Sequence, residues 1–140
     1  MQAPILRVLV VDDSEIVRRG ICQILQTQSD IKVVCEASDG ADAVRKVREH
    51  QPDVVLLDIS MPVMNGFEAA RRIKHESPST LILVVSQFDS APFLKEAMTA
   101  GASGYVVKSN AAFELIPALR KLQSRNCVEL KGEQPWEPLL

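Results

Sequence analysis

Five short apolar runs, separated by stretches of helical periodicity, leave this chain few folds to choose from. The runs are Ile5–Val11 (ILRVLVV), Ile31–Ala37 (IKVVCEA), Asp53–Asp58 (DVVLLD), Leu81–Ser86 (LILVVS) and Ser103–Lys108 (SGYVVK). The first, third and fourth read as strands buried on both faces, because valine-rich runs without polar alternation leave no face for water. The second alternates more, with Lys32 and Glu36, as an edge strand does. Helical spacing predicts Ile16, Val17, Ile21, Ile24 and Leu25 on one inward face after a cap at Asp13 or Ser14. A second helix opens at Asp39-Gly40 and reaches about His50, and a third carries Phe67, Ala70 and Ile73. The fourth turns Leu94, Ala97 and Met98 inward before a stop at Gly101, and the last carries Phe113, Ile116, Leu119 and Leu122, with Pro117 bending it.

Strand and helix alternating in this way predict an α/β protein. The expected fold is a flavodoxin-like (βα)5 three-layer sandwich on a parallel five-stranded sheet in the order 2-1-3-4-5. The 140 residues fit one domain, expected over residues 1–124, with 125–140 as a tail or the start of a linker. A net charge of -2 gives no electrostatic case for nucleic acid. Cys22, Cys35 and Cys127 show no ligand spacing, and no apolar run approaches the ~20 residues of a membrane span. The expected setting is cytoplasmic.

Four of the strands end in polar residues: Asp12-Asp13, Asp58, Ser86 and Lys108. In an open parallel sheet these ends share one edge, and ligands bind where the strand order switches, here between strands one and three. Three carboxylates would then meet in one crevice beside a hydroxyl and an ammonium. Close carboxylates disfavour one another's charge, so the group calls for a cation beyond Lys108, and Mg2+ or Mn2+ on oxygen ligands suits it. Taken alone, each residue has a plainer reading: a strand-end aspartate as a helix cap, Ser86 as a cap, Lys108 as a solvated terminus. Together they outline phosphoryl transfer, with a carboxylate as nucleophile forming an aspartyl phosphate.

The residues Val10-Val11-Asp12-Asp13, Asp58-Ile59-Ser60-Met61-Pro62-Val63-Met64-Asn65-Gly66, Ser86, Gly104-Tyr105 and Lys108 resemble the receiver domain of bacterial two-component response regulators. The likeness covers nearly all of residues 5–124. Ser14-Glu15-Ile16-Val17-Arg18-Arg19-Gly20 after the aspartates, with Lys108-Ser109 in place of Lys-Pro, is most similar to the NarL/FixJ branch. The resemblance implies that Asp58 accepts a phosphoryl group from a histidine kinase, a phosphotransfer protein or a small phosphodonor. It implies a metal held by Asp13, Asp58 and the Ser60 carbonyl, with Asp12 acting through a metal-bound water. Lys108 would pair with the phosphoryl oxygens, while Ser86 and Tyr105 would be the switch pair. A downstream effector protein or domain would read the change, with a homodimer as a further expected partner state.

The sequence departs from the family at Gln87, where a small residue is usual; a long amide there is expected to tune the site, as are Phe88 and Ser60. Such regulators usually continue into a helix-turn-helix domain, and none is legible here, so direct DNA binding by this stretch is not expected. A haloacid-dehalogenase-type phosphatase needs an aspartate where Ser60 stands, so no external substrate turnover is expected. A nucleotide module needs a phosphate loop where Asp12-Asp13-Ser14-Glu15 would repel the ligand. A degenerate receiver, binding a partner without phosphorylation, is the remaining alternative.

Overall fold

Successive side chains of the central strands enter two different cores. The computed structural model describes residues 4–128. In β1 (Leu6–Val11), Leu9 and Val11 face one core, and Leu6, Val8 and Val10 the other. In β3 (Val54–Leu57), Val55 and Leu57 join the first core, and Val54 and Leu56 the second. Such two-sided burial needs helices on both faces. The first core is covered by α2 (Gly40–His50), α3 (Gly66–Glu76) and α4 (Ala91–Thr99), the second by α1 (Glu15–Leu25) and α5 (Ala111–Val128). With β2 (Ile31–Ala37), β4 (Leu81–Ser86) and β5 (Gly104–Val107), all pairings are parallel and the order is β2-β1-β3-β4-β5. This is the expected three-layer flavodoxin-like sandwich, with β2 at the edge.

The helices begin where capping chemistry allows. Ser14, Asp39 and Asn65 accept hydrogen bonds from Val17 N, Asp42 N and Glu68 N respectively, satisfying amides of the first turn. Helix α2 ends at Gln51 in the left-handed conformation, and Gly101, at φ 106°, follows α4. His50 and His75 lie exposed in the last turns of α2 and α3, where a positive charge suits the helix dipole.

Three inward-facing expectations fail. Ile16 and Phe113 are each 82% exposed, and Met98 is also exposed. At 3.6 residues per turn, Ile16 stands across α1 from the buried Ile21 and Leu25, and Phe113 across α5 from the buried Ala111 and Leu115, so both point away from the sheet. The buried stripe of α5 is instead Ala111, Leu115, Ala118, Leu119 and Leu122. In α4 the buried stripe is Ala97, with Ala100 just beyond the helix and Phe93 and Leu94 packed beside it, and Met98 lies to one side of that stripe. Helix α5 runs on to Val128, past residue 124, while residues 129–140, with Trp136, lie outside the described residues. Cys22 and Cys35 are free thiols, and the Cys127 side chain is outside the description.

Candidate functional site

The strand ends converge as the topology requires. Asp58 N–H donates to Val11 O at 3.1 Å and Asp12 N–H to Ala37 O at 3.1 Å, so β1, β2 and β3 stay laced together up to their last residues. This brings Asp12, Asp13 and Asp58 into one group, with one oxygen from each lying within 4.8 Å of the others. Asp12 and Asp58 are 1% and 3% exposed, while Asp13 faces solvent. Lys108, the first residue after β5, reaches across with Nζ 2.7 Å from Asp12 Oδ2 and 3.4 Å from Asp58 Oδ1.

The electrostatics follow from this crowding. Burial first, then the neighbouring Asp12 charge, push the Asp58 carboxyl from 3.8 up to about 6, against the pull of Lys108 and the Ser60 backbone. Lys108 loses some charge preference to burial, but its contacts with Asp12 and Asp58 outweigh that and hold its ammonium above the usual range. Asp12 Oδ1 accepts from Ser14 N–H at 2.9 Å. Its Oδ2 lies close to Lys108 Nζ yet off the direction of a hydrogen bond, so this buried oxygen keeps no directed donor. A buried anion left in that state, with two more carboxylates at hand, suits a hard divalent cation on oxygen ligands. The residues present therefore fit such an ion, and the carboxylates of Asp12, Asp13 and Asp58 are the atoms that could hold it.

The loop after β3 is folded tightly onto the site. Gly66 N–H donates to Ile59 O at 2.8 Å, and a Cβ on Gly66 would lie 2.1 Å from the Asp58 carbonyl oxygen, so only glycine fits. The loop reaches this position through a γ-turn: Met64 N–H donates to Pro62 O at 2.7 Å around Val63 at φ 69°. For a β-branched residue that conformation is strained. Ser60 is exposed beside Asp13 in a hollow of about 610 Å3 with Met61, Pro62 and Phe67. A hollow of about 650 Å3 opens at the opposite edge of the sheet, beside Pro52, Ser77 and Gln123, far from the carboxylate cluster; volume does not mark the site here.

At the end of β4, Ser86 is fully buried, its Oγ accepting from Phe88 N–H at 3.0 Å. Tyr105 is buried and donates its hydroxyl to Phe88 O at 2.6 Å. Gln87 is exposed. The sequence-predicted residues thus fall into two neighbouring groups: the carboxylates with Lys108, and Ser86 with Tyr105 around Phe88. Sequence reading missed Arg18, whose Nη1–H donates to the Asp12 carbonyl at 2.7 Å; an arginine on the polar face of a helix gives no sign of such a contact.

A family model for the response regulator receiver domain matches residues 8–120. The chain belongs to that family. This receiver is 38% identical over 128 residues to the oxygen regulatory protein NreC of Staphylococcus epidermidis, covering 90% of this chain and 59% of NreC. A two-component response regulator of the LuxR family from Aurantimonas sp. matches the receiver with a TM-score of 0.82 at 36% identity, over 86% of each chain. The signal receiver domain of NarL from Mycobacterium tuberculosis matches with a TM-score of 0.80 at 33% identity, over 84% of this chain and 95% of that one. These relatives, of the NarL and LuxR type, agree with the expected NarL/FixJ branch. The chain spans about three fifths of the length of the curated relatives it matches. Receivers of this kind are signalling modules of two-component systems. Among the described residues, no helix is long and apolar enough to cross a membrane.

Proposed function

We propose that Asp58 is the phosphoacceptor of a two-component switch, taking its phosphoryl group from a histidine kinase or phosphotransfer protein and signalling to an effector protein or domain. The observation that carries this reading is a buried carboxylate at a strand end with two carboxylates and an ammonium around it. With its pKa raised to about 6, Asp58 is still mostly ionised at neutral pH and keeps the basicity a nucleophile needs. Its oxygen forms the new bond to phosphorus while the bond to the histidine nitrogen of the donor breaks.

Asp12, Asp13 and Asp58, with the Ser60 carbonyl, are the candidates to hold Mg2+ or Mn2+, which supplies positive charge against the phosphoryl oxygens. Lys108, already beside Asp58, neutralises a further share of that charge. Ser86 then turns its hydroxyl from the Phe88 amide toward the phosphoryl group. Tyr105 follows, and the population shifts toward a state with a repacked α4–β5 surface. Gln87, Phe88 and Ser60 tune the lifetime of the phosphorylated state. The alternative is a module that binds a partner without phosphorylation; the carboxylate cluster with Lys108 beside it favours the phosphoacceptor reading.

The test is intact-protein and peptide mass spectrometry after incubation with acetyl phosphate, with and without Mg2+, beside Asp58→Ala. A phosphoryl adduct on the peptide holding Asp58, dependent on Mg2+ and absent in the variant, is expected. No adduct under these conditions would favour the interaction module.

A further inference from the structure

Arg18 lies on α1 just beyond the acidic pair, with its side chain only 16% exposed. Its Nη1–H donates to the Asp12 carbonyl at 2.7 Å and its Nε–H to Glu36 Oε1 at 3.2 Å. Asp12 N–H is held by Ala37 O and Asp12 Oδ1 by Ser14 N–H, so Arg18 completes a frame around this residue. The Asp12 carbonyl belongs to the peptide that leads into Asp13. Among the described residues, no side chain holds the Asp13 carboxylate, so its placement relative to Asp12 and Asp58 rests on the backbone that carries it.

Glu36 reaches Arg18 because of a bulge in β2. Val8 pairs with Val33, but Leu9 pairs with Cys35, leaving Val34 as an extra residue. The bulge switches faces: Val33 packs into the core under α1 and α5, Cys35 into the other. Glu36, now opposite Val10, therefore stands on the α1 side, where Arg18 is. An unbroken alternation would have aimed it at α2.

We propose that Arg18 is a positioning residue for the cation site: it fixes the Asp12–Asp13 peptide so that Asp13 points into the crevice, and Glu36 orients Arg18. This rests on the reading of Asp12, Asp13 and Asp58 as a cation site. Geometry and charge here predict opposite signs. Removing a nearby cation should tighten Mg2+ binding by electrostatics alone, whereas losing the frame should weaken it. The pair Arg18→Ala with Glu36→Gln removes one charge of each sign, so it isolates the frame.

The experiment is calorimetric titration of Mg2+ into the full 140-residue chain at fixed ionic strength. Wild type, Arg18→Ala/Glu36→Gln and Arg18→Lys are compared, each checked for folding by circular dichroism. The double variant is expected to bind about tenfold more weakly, the scale seen when groups that orient ligands are lost. Arg18→Lys keeps the charge but cannot serve both partners, and a weakening of about threefold is expected. Should the double variant fail to fold, Arg18→Lys carries the test. Unchanged or tighter binding in the folded variants overturns the proposal while leaving the cation site intact. A wild type that binds no Mg2+ overturns the cation site and this inference together.

Discussion

The Tyr105 hydroxyl donates a 2.6 Å hydrogen bond to the carbonyl of Phe88, whose own amide donates to Ser86 Oγ at 3.0 Å. The Phe88 ring stacks on Phe93 of α4, centroids 4.4 Å apart, and Phe93 lies 6.4 Å from Phe67 on α3. One residue thus joins the end of β4, the middle of the sheet edge and the start of α4. A Ser86 hydroxyl drawn toward Asp58 must release the Phe88 amide, which loosens the residue on which Tyr105 and Phe93 both rest. Under the proposed switch, these contacts would carry a local event at Asp58 to a surface helix.

Tyr105→Phe removes the donor and leaves the Phe88 carbonyl without it. Burial raises the phenol above its ordinary pKa of 10, so it remains a donor throughout the neutral range. The variant is expected to lose about 1 kcal/mol of stability, the usual scale for one part-buried hydrogen bond. Urea denaturation followed by circular dichroism measures it; an unchanged midpoint would mean that the bond contributes nothing in solution.

The sheet was legible because every strand is a short apolar run, and the site because four strands end in polar residues. Charge and turn chemistry at Asp58 and Asn65-Gly66 pointed to the right loop. What escaped the sequence were features set by tertiary position. Ile16 and Phe113 lie at the margin of the helical period, and the buried stripes of Ile21 with Leu25 and of Leu115 with Leu119 show that each stands off the face its helix lays on the sheet. The bulge at Val34 leaves no mark in an alternating edge strand, so the side of the sheet that Glu36 faces could not be read. Val63 carries a side chain that disfavours positive φ, and only the loop's anchoring on both sides holds it there. Arg18 is indistinguishable from Arg19 in the sequence, yet Arg19 makes only an exposed pair with Glu15 while Arg18 grips the Asp12 carbonyl.

Gly66→Ala tests the close approach at the acidic site. The new methyl would meet the Asp58 carbonyl oxygen and the Ile59 backbone, and neither can yield as a flexible side chain would. The loop and the start of α3 must shift, at an expected cost of about 2–4 kcal/mol. Because the shift moves Asp58 itself, Mg2+ affinity should fall along with the denaturation midpoint. Stability lost with Mg2+ binding unchanged would show that α3 adjusts without disturbing the carboxylates.

Pro117→Ala is expected to stabilise the protein. Pro117 stands in the interior of α5 and is exposed, so its ring fills no core, while it denies the helix the amide that would bond Phe113 O. Restoring that bond with a strong helix former should add about 1–3 kcal/mol. Thermal unfolding checks it, and a lower melting temperature would mean that the proline helps to lay Leu115, Leu119 and Leu122 against the sheet.

Asp58→Asn should stabilise the metal-free protein in a pH-dependent way. In the folded chain the Asp58 carboxyl titrates at about 6 instead of 3.8, first because it is buried and then because Asp12 is beside it. Between about pH 4 and pH 6 the folded state therefore holds a proton that the unfolded chain has released, and stability falls as pH rises through that window. Above it both states are ionised and the penalty stays constant. Asparagine carries no charge at any pH, so the variant escapes the penalty. After allowance for solvent screening at the crevice mouth, its advantage should be about 1–2 kcal/mol at pH 7.5 and should shrink toward zero near pH 4. Urea denaturation of both proteins in a chelator across that range measures the gap. Saturating Mg2+ should narrow or reverse it at pH 7.5, because an ion that binds the folded state stabilises the wild type and finds one carboxylate fewer in the variant. A gap that ignores both pH and Mg2+ would place the origin of the difference outside the charge of Asp58.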